Sequence, residues 1–209
     1  MLCHRAGIVG DSARVTGSGV TMADGEVGLR VSHSAFVQLE KLSISQQQLG
    51  ILIWERAQVR LSNSKLSENW VGLEIQDGNV KLLDTTFEAN RVGLEIRGGV
   101  VTAERVTITR SQRDGLIAAG KEAVVSLVAS KLSDNGVHPN CRWVAWVCNG
   151  LTVREAARVW MTNSVIQGNA DWGIGAWKRE CGYERDLFEG QVTLLGTVQI
   201  EGNNTSGES

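Results

Sequence analysis

Hydrophobic and polar positions alternate in short runs along this chain, and the runs recur. Leu66-Ser-Glu-Asn-Trp-Val-Gly-Leu-Glu-Ile75 returns as Phe87-Glu-Ala-Asn-Arg-Val-Gly-Leu-Glu-Ile96, with the two glycines 93 − 72 = 21 residues apart. Extending the phrase gives Gly7, Gly28, Gly50, Gly72, Gly93 and Gly115, at steps of 21, 22, 22, 21 and 22. A regular period of this size marks a repeat architecture and is interpreted before any local feature. Three residues after an apolar position the chain also returns to a small or amide side chain, as in Leu66/Asn69, Phe87/Asn90, Leu132/Asn135, Ile166/Asn169 and Ile200/Asn203.

Each unit holds three period-two runs and no helical pattern. In one unit these are Gly72-Leu-Glu-Ile75, Asn79-Val-Lys-Leu82 and Thr85-Thr-Phe87. Alternation of this kind, punctuated by Gly and Asn, reads as strand, turn, strand, turn, strand. So short a unit leaves no room for a crossover helix. The chain must coil so that each strand lies parallel on its equivalent in the next turn, roughly 4.8 Å away.

That is a parallel β-helix, and the Asn-x-x-Gly phrases quoted above resemble those of the right-handed parallel β-helix repeat family, the pectate-lyase-like and carbohydrate-binding solenoids. The resemblance extends from about residue 7 to about residue 204. It implies a right-handed coil and favours an extracellular or cell-surface setting. The expected fold is all-β, a solenoid of about eight to nine coils with three short strands per coil, forming one domain over residues 1–204 with a flexible tail at 205–209.

Two segments break the period. After Asn135 the sequence from about 136 to 157 replaces a short turn, and a second break covers about 177–189. Gly115 and Gly173 are 173 − 115 = 58 residues apart, so one expanded coil is expected between them. Both insertions fall in adjacent coils near the C-terminal end.

Composition narrows the function classes. The formal net charge is −2, with no polybasic run, which gives no electrostatic footprint for nucleic acid or an anionic membrane. No apolar stretch approaches the roughly 20 residues of a membrane-spanning helix. The N-terminus lacks the apolar segment of a signal peptide and begins inside a coil. This predicts a fragment or mature form of a longer protein, or a first coil covered by a partner, with self-association through the open N-terminal coil as one form of that. Cys3, Cys141, Cys148 and Cys181 make neither a disulfide framework nor a zinc pattern. Cys141 and Cys148 could pair if their loop folds back, and are otherwise expected as free thiols.

Stacked coils turn sequence equivalence into rows of side chains. The Asn side chains of the phrase, Asn69, Asn90, Asn135, Asn169 and Asn203, are expected to form a structural ladder, since stacked amides bond to one another and Asn tolerates the left-handed backbone of a tight corner. Ser64, Thr85, Ser130 and Ser164 suggest a similar inward ladder. An outer row places Glu74 beside Glu95 at about 5 Å, close to the carboxylate spacing of retaining glycosidases and within reach of Arg97 and Lys81. The pair reads as an acid/base site, a calcium or sugar ledge, or two solvated carboxylates. Calcium at this pair is the one cofactor the pattern suggests, and no metal cluster is expected.

Aromatic residues gather late in the chain. Trp143, Trp146, Trp160, Trp172, Trp177 and Tyr183 lie in its final third, and Trp54 falls in the same outer row as Trp177. Such faces stack against sugar rings or fill the small cores beneath long loops. His138 reads as a loop histidine, and Asp171 and Asp186 as acids near the insertions. The chain lacks the clustered catalytic aspartates of the lyases and hydrolases that it resembles. The expected function is therefore a non-catalytic surface, scaffold or interaction module, within a larger extracellular protein, whose partner is a polysaccharide or another protein. The alternatives are a carbohydrate-binding module using the insertion aromatics, and a divergent polysaccharide lyase or glycoside hydrolase using Glu74 and Glu95.

Overall fold

The computed structural model describes residues 5–8, 13–142, 148–176 and 190–203. Trp143, Trp146, Trp177, Tyr183 and Asp186, and the second insertion, lie outside these residues. Among the described residues the chain is an all-β parallel solenoid, and its one helical turn is Pro139–Arg142.

A regular coil consists of Val71–Ile75, Gly78–Leu83 and Thr86–Glu88, and the next repeats it as Val92–Ile96, Gly99–Glu104 and Thr107–Thr109. Equivalent strands pair in parallel with Val92 on Val71, Leu94 on Leu73, Glu95 on Glu74 and Ile96 on Ile75. Three faces result. The second is a separate eight-stranded sheet running from Arg14–Ser18 to Gln191–Leu195. The first and third join into one 14-stranded sheet, because Thr21–Val31 and Ser43–Ile53 continue around the corner without interruption. The described strands amount to about seven full turns, slightly fewer than the eight to nine coils expected.

Alternate residues point inward and fill the solenoid. Ile53, Ile75 and Ile96 stack at 0% exposure, as do Ile44, Leu66, Phe87, Ile108, Leu132 and Ile166 on the third face. Fully burying one such side chain contributes about 1.5 to 3 kcal/mol. The same inward rows are uncovered at the last coil, where Leu194 is 46% exposed above Met161 and Ile200 is 44% exposed above Ile166.

The phrase glycine is required by close approach between coils. A Cβ at Gly50 would lie 2.3 Å from the Gly72 carbonyl oxygen, and one at Gly93 would lie 2.4 Å from that of Gly115. Gly115 in turn faces the Gly150 carbonyl, and Gly150 that of Gly173. Gly150 thus belongs to the row, and the expanded coil is the step of 150 − 115 = 35 residues.

The chain leaves the third face after Lys131–Ser133 and rejoins the first at Leu151–Arg154, which pairs with Leu116–Ala119. The first insertion therefore ends before Leu151, and the stretch up to Ala157 is ordinary coil. Cys141 and Cys148 form a disulfide across it, with Cα atoms 5.6 Å apart. This corrects the free-thiol expectation: the excursion returns close to its own start, bringing the two residues together.

Candidate functional site

The asparagines hydrogen-bond from coil to coil. Asn69 donates through its backbone N–H and its Nδ2 to Asn90 Oδ1 at 2.9 and 3.0 Å, and Asn135 does the same to Asn169 Oδ1 at 3.1 and 2.9 Å. Asn169 bonds to Asn203 in the same way. Ser111 interrupts the ladder, and its Oγ is buried with no hydrogen-bond partner among the described residues. The left-handed residue of this corner is not the Asn but the one before it: Glu68, Ala89, Arg110 and Asp134 all have φ between 54° and 58°. The amide therefore sits on ordinary backbone, aimed inward by its strained neighbour. Ser64, Ser130 and Ser164 form a second inward ladder, where Ser130 N–H donates to Ser164 Oγ at 3.1 Å and Ser64 accepts from Leu42 N–H. Thr85 donates to the Leu83 carbonyl.

On the outer side of the first face, Glu74 and Glu95 are register partners. Each engages a residue of its own coil. Gln76 donates to Glu74 Oε1 at 2.9 Å, and Arg97 donates to Glu95 Oε1 through Nε and Nη2 at 3.0 and 2.7 Å. The Glu95 charge holds the Arg97 guanidinium above its ordinary pKa. Lys81, expected near this pair, stands on the second face instead. The row continues from Ile117 to Thr152 and then Gly175, and the next row from Ala119 to Arg154.

Trp54 is half-buried with the Arg30 guanidinium 5.0 Å from its ring, and Trp172 is 60% exposed. Trp160 is half-buried on the second face. Trp70, not singled out from the sequence, is 59% exposed with the Arg91 guanidinium 3.7 Å from its ring centroid. The signal was in the phrase itself, where Asn-Trp-Val-Gly is followed one coil later by Asn-Arg-Val-Gly.

Sequence reasoning also missed a buried polar network at the root of the disulfide loop. Asp114 is 1% exposed and accepts a hydrogen bond from Thr152 Oγ1 at 2.5 Å and another from the Asn149 backbone N–H. Asn149 Nδ2 donates to Thr152 Oγ1, while Asn149 Oδ1 accepts the Trp172 N–H. Burial pushes the Asp114 carboxyl up to about 6 against these stabilising bonds. Burial also raises Asp171, which accepts the Cys148 and Trp172 N–H groups. His138 Nδ1 accepts the Asn140 N–H within the loop. Among the described residues no group of three or more His, Cys, Asp or Glu is arranged to hold a metal ion.

A solenoid of parallel coils with these ladders defines a β-helix protein. The chain belongs to the right-handed β-helix family: the model described as "Right handed beta helix region" matches residues 3–128, more than half of its length. No curated protein matches the chain, and no solved structure does.

Proposed function

We propose that this β-helix is a non-catalytic interaction module, in which a rigid coil lattice presents rows of side chains to a partner. The observation that carries this reading is the engagement of the paired acids. A retaining hydrolase needs one carboxylic acid to give a proton and one free carboxylate to attack, whereas Glu95 is bound by Arg97 through two N–H groups and Glu74 accepts from Gln76. The Cys141–Cys148 disulfide supports an oxidising, extracellular setting for the module.

A polysaccharide panel read for both binding and product release tests this, with wild type beside the Glu74→Gln/Glu95→Gln double variant. The expected result is no shortening of any polymer by either protein. Shortening that disappears in the double variant overturns the reading. A carbohydrate-binding role for the aromatics near the first insertion is favoured by one observation, the exposure of Trp172 beside the loop root. Trp172→Ala should then weaken glycan binding without altering the fold.

A further inference from the structure

Three outward rows of side chains cross the second face, and strand register fixes them. From Gly78–Leu83 to Gln191–Leu195 the first row runs through Asn79, Val100, Val124, Arg158 and Gln191. The second runs through Lys81, Thr102, Ser126, Trp160 and Thr193, and the third through Leu83, Glu104, Val128, Thr162 and Leu195. Leu83, Val100, Val124, Val128, Trp160 and Leu195 thus share the outer side of one sheet, with Val100 46% and Leu195 48% exposed. Glu104, the one acid in these rows, is engaged by Arg105 of the adjoining corner. The rest of the outer surface is different. The N-terminal half of the same face carries Arg14, Glu40 and Arg60, and the third face presents Thr86, Glu88, Thr107 and Thr109.

Apolar side chains gathered on an outer face mark an interface, and sheets pack face to face at roughly 10 Å. The strands from Gly78–Leu83 to Gln191–Leu195 span four steps of roughly 4.8 Å, and each is about 18 Å long, so a copy laid over them covers about 20 Å by 18 Å. With side-chain relief the area removed from both partners is on the order of 1,000 to 1,200 Å², near the lower bound of a specific interface. Charge then selects the arrangement. A two-fold axis along Ala123–Val128 keeps each row on itself and reverses the order of the coils. Val124 and Val128 meet their own copies, Leu83 meets Leu195, and Trp160 meets Thr102. Lys81 faces Thr193, Arg158 faces Val100 and Glu104 faces Thr162, so no like charges are opposed. An axis along the solenoid through the second row would instead set Lys81 on Lys81 and Arg60 on Arg60, which costs several kcal/mol.

Resting on the interaction-module reading, we infer that the C-terminal half of the second face binds a second copy of this chain, sheet on sheet, with the two solenoids antiparallel about a two-fold axis at Ser126. The test is sedimentation equilibrium of the full chain from about 1 to about 200 μM, where an interface of this size should give a dimer with Kd on the order of 10 μM. Val124→Lys/Val128→Lys brings four ammonium groups together at the axis and should raise Kd at least about 100-fold. A third-face control of equal charge change, Ser45→Lys/Thr109→Lys, should move Kd less than about twofold. Ser126→Cys, which lies on the axis, should be joined to its copy by a short bismaleimide, while Ser45→Cys stays at the wild-type background.

A monomer across that range, an equal loss in the third-face control, or no more cross-linking at Ser126→Cys than at Ser45→Cys overturns the inference. So does association that survives Val124→Lys/Val128→Lys, which would place the contact at a coil end. None of these results bears on Glu74 and Glu95. The module reading fails on a separate observation, product release from a polysaccharide that is lost in the Glu74→Gln/Glu95→Gln variant.

Discussion

Val92 and Asp114 each immediately precede the glycine of their coil, yet they solve different problems. In the regular coil the chain passes from Asn90 to Gly93 in three residues, and Val92 closes the corner at 7% exposure. In the next coil Ser111 and Gly115 are four apart, Ser111 cannot complete the amide ladder, and Asp114 turns into a buried network with Asn149 and Thr152. The coil above it then carries the disulfide loop. Where every coil matches its neighbours, apolar stacking and repeated amide bonds suffice. Where a loop must leave and return, its root is held by specific polar contacts.

The comparison breaks first at the glycine row. Gly93→Ala places a Cβ 2.4 Å from the Gly115 carbonyl oxygen and 2.6 Å from Ile108 Cγ2. Backbone cannot yield cheaply there, so a loss of about 3 kcal/mol is expected in urea unfolding.

Next in size is Asp114→Asn. The folded carboxyl at about 6 lies above its ordinary 3.8, so its contribution is fully present below about pH 3.8 and is lost as pH rises through 6. Asn removes that dependence. The variant should gain about 2 kcal/mol over wild type between pH 4 and pH 8, read as the difference between their unfolding curves. A constant difference across that range would show that Asp114 does not titrate there. Asp84, lowered by its hydrogen bond from Arg105, works in the opposite direction and cancels in the difference.

The smallest effect sharpens the comparison. Ser111→Asn should restore the missing rung, giving the Asn90 level an acceptor and replacing an unpartnered hydroxyl, with a gain of about 1 kcal/mol in thermal or urea unfolding. No gain would mean that the extra residue before Gly115 has moved the corner out of ladder register.

The coil was legible because its interior demands the same small set of side chains at each level. Leu66, Phe87, Ile108, Leu132 and Ile166 announce one stacked row even where spacing changes. The Asn ladder was legible for the same reason. Its backbone was not, because the strain falls on Glu68, Ala89, Arg110 and Asp134, which share no side-chain chemistry. Gly150 was hidden because the insertion enters between Asn135 and its glycine, separating two marks that elsewhere lie three or four residues apart. Asp114 was hidden by a one-residue expansion that makes a buried acid look like part of a polar turn.

The central claim is that Glu74 and Glu95, engaged by Gln76 and Arg97, do no chemistry. Its most direct test is the chain length of each polymer in the polysaccharide panel, followed by light scattering during prolonged incubation with the wild-type chain at saturating protein. Every polymer should keep its original length. Polymer that shortens with wild type and stays intact with Glu74→Gln/Glu95→Gln contradicts it.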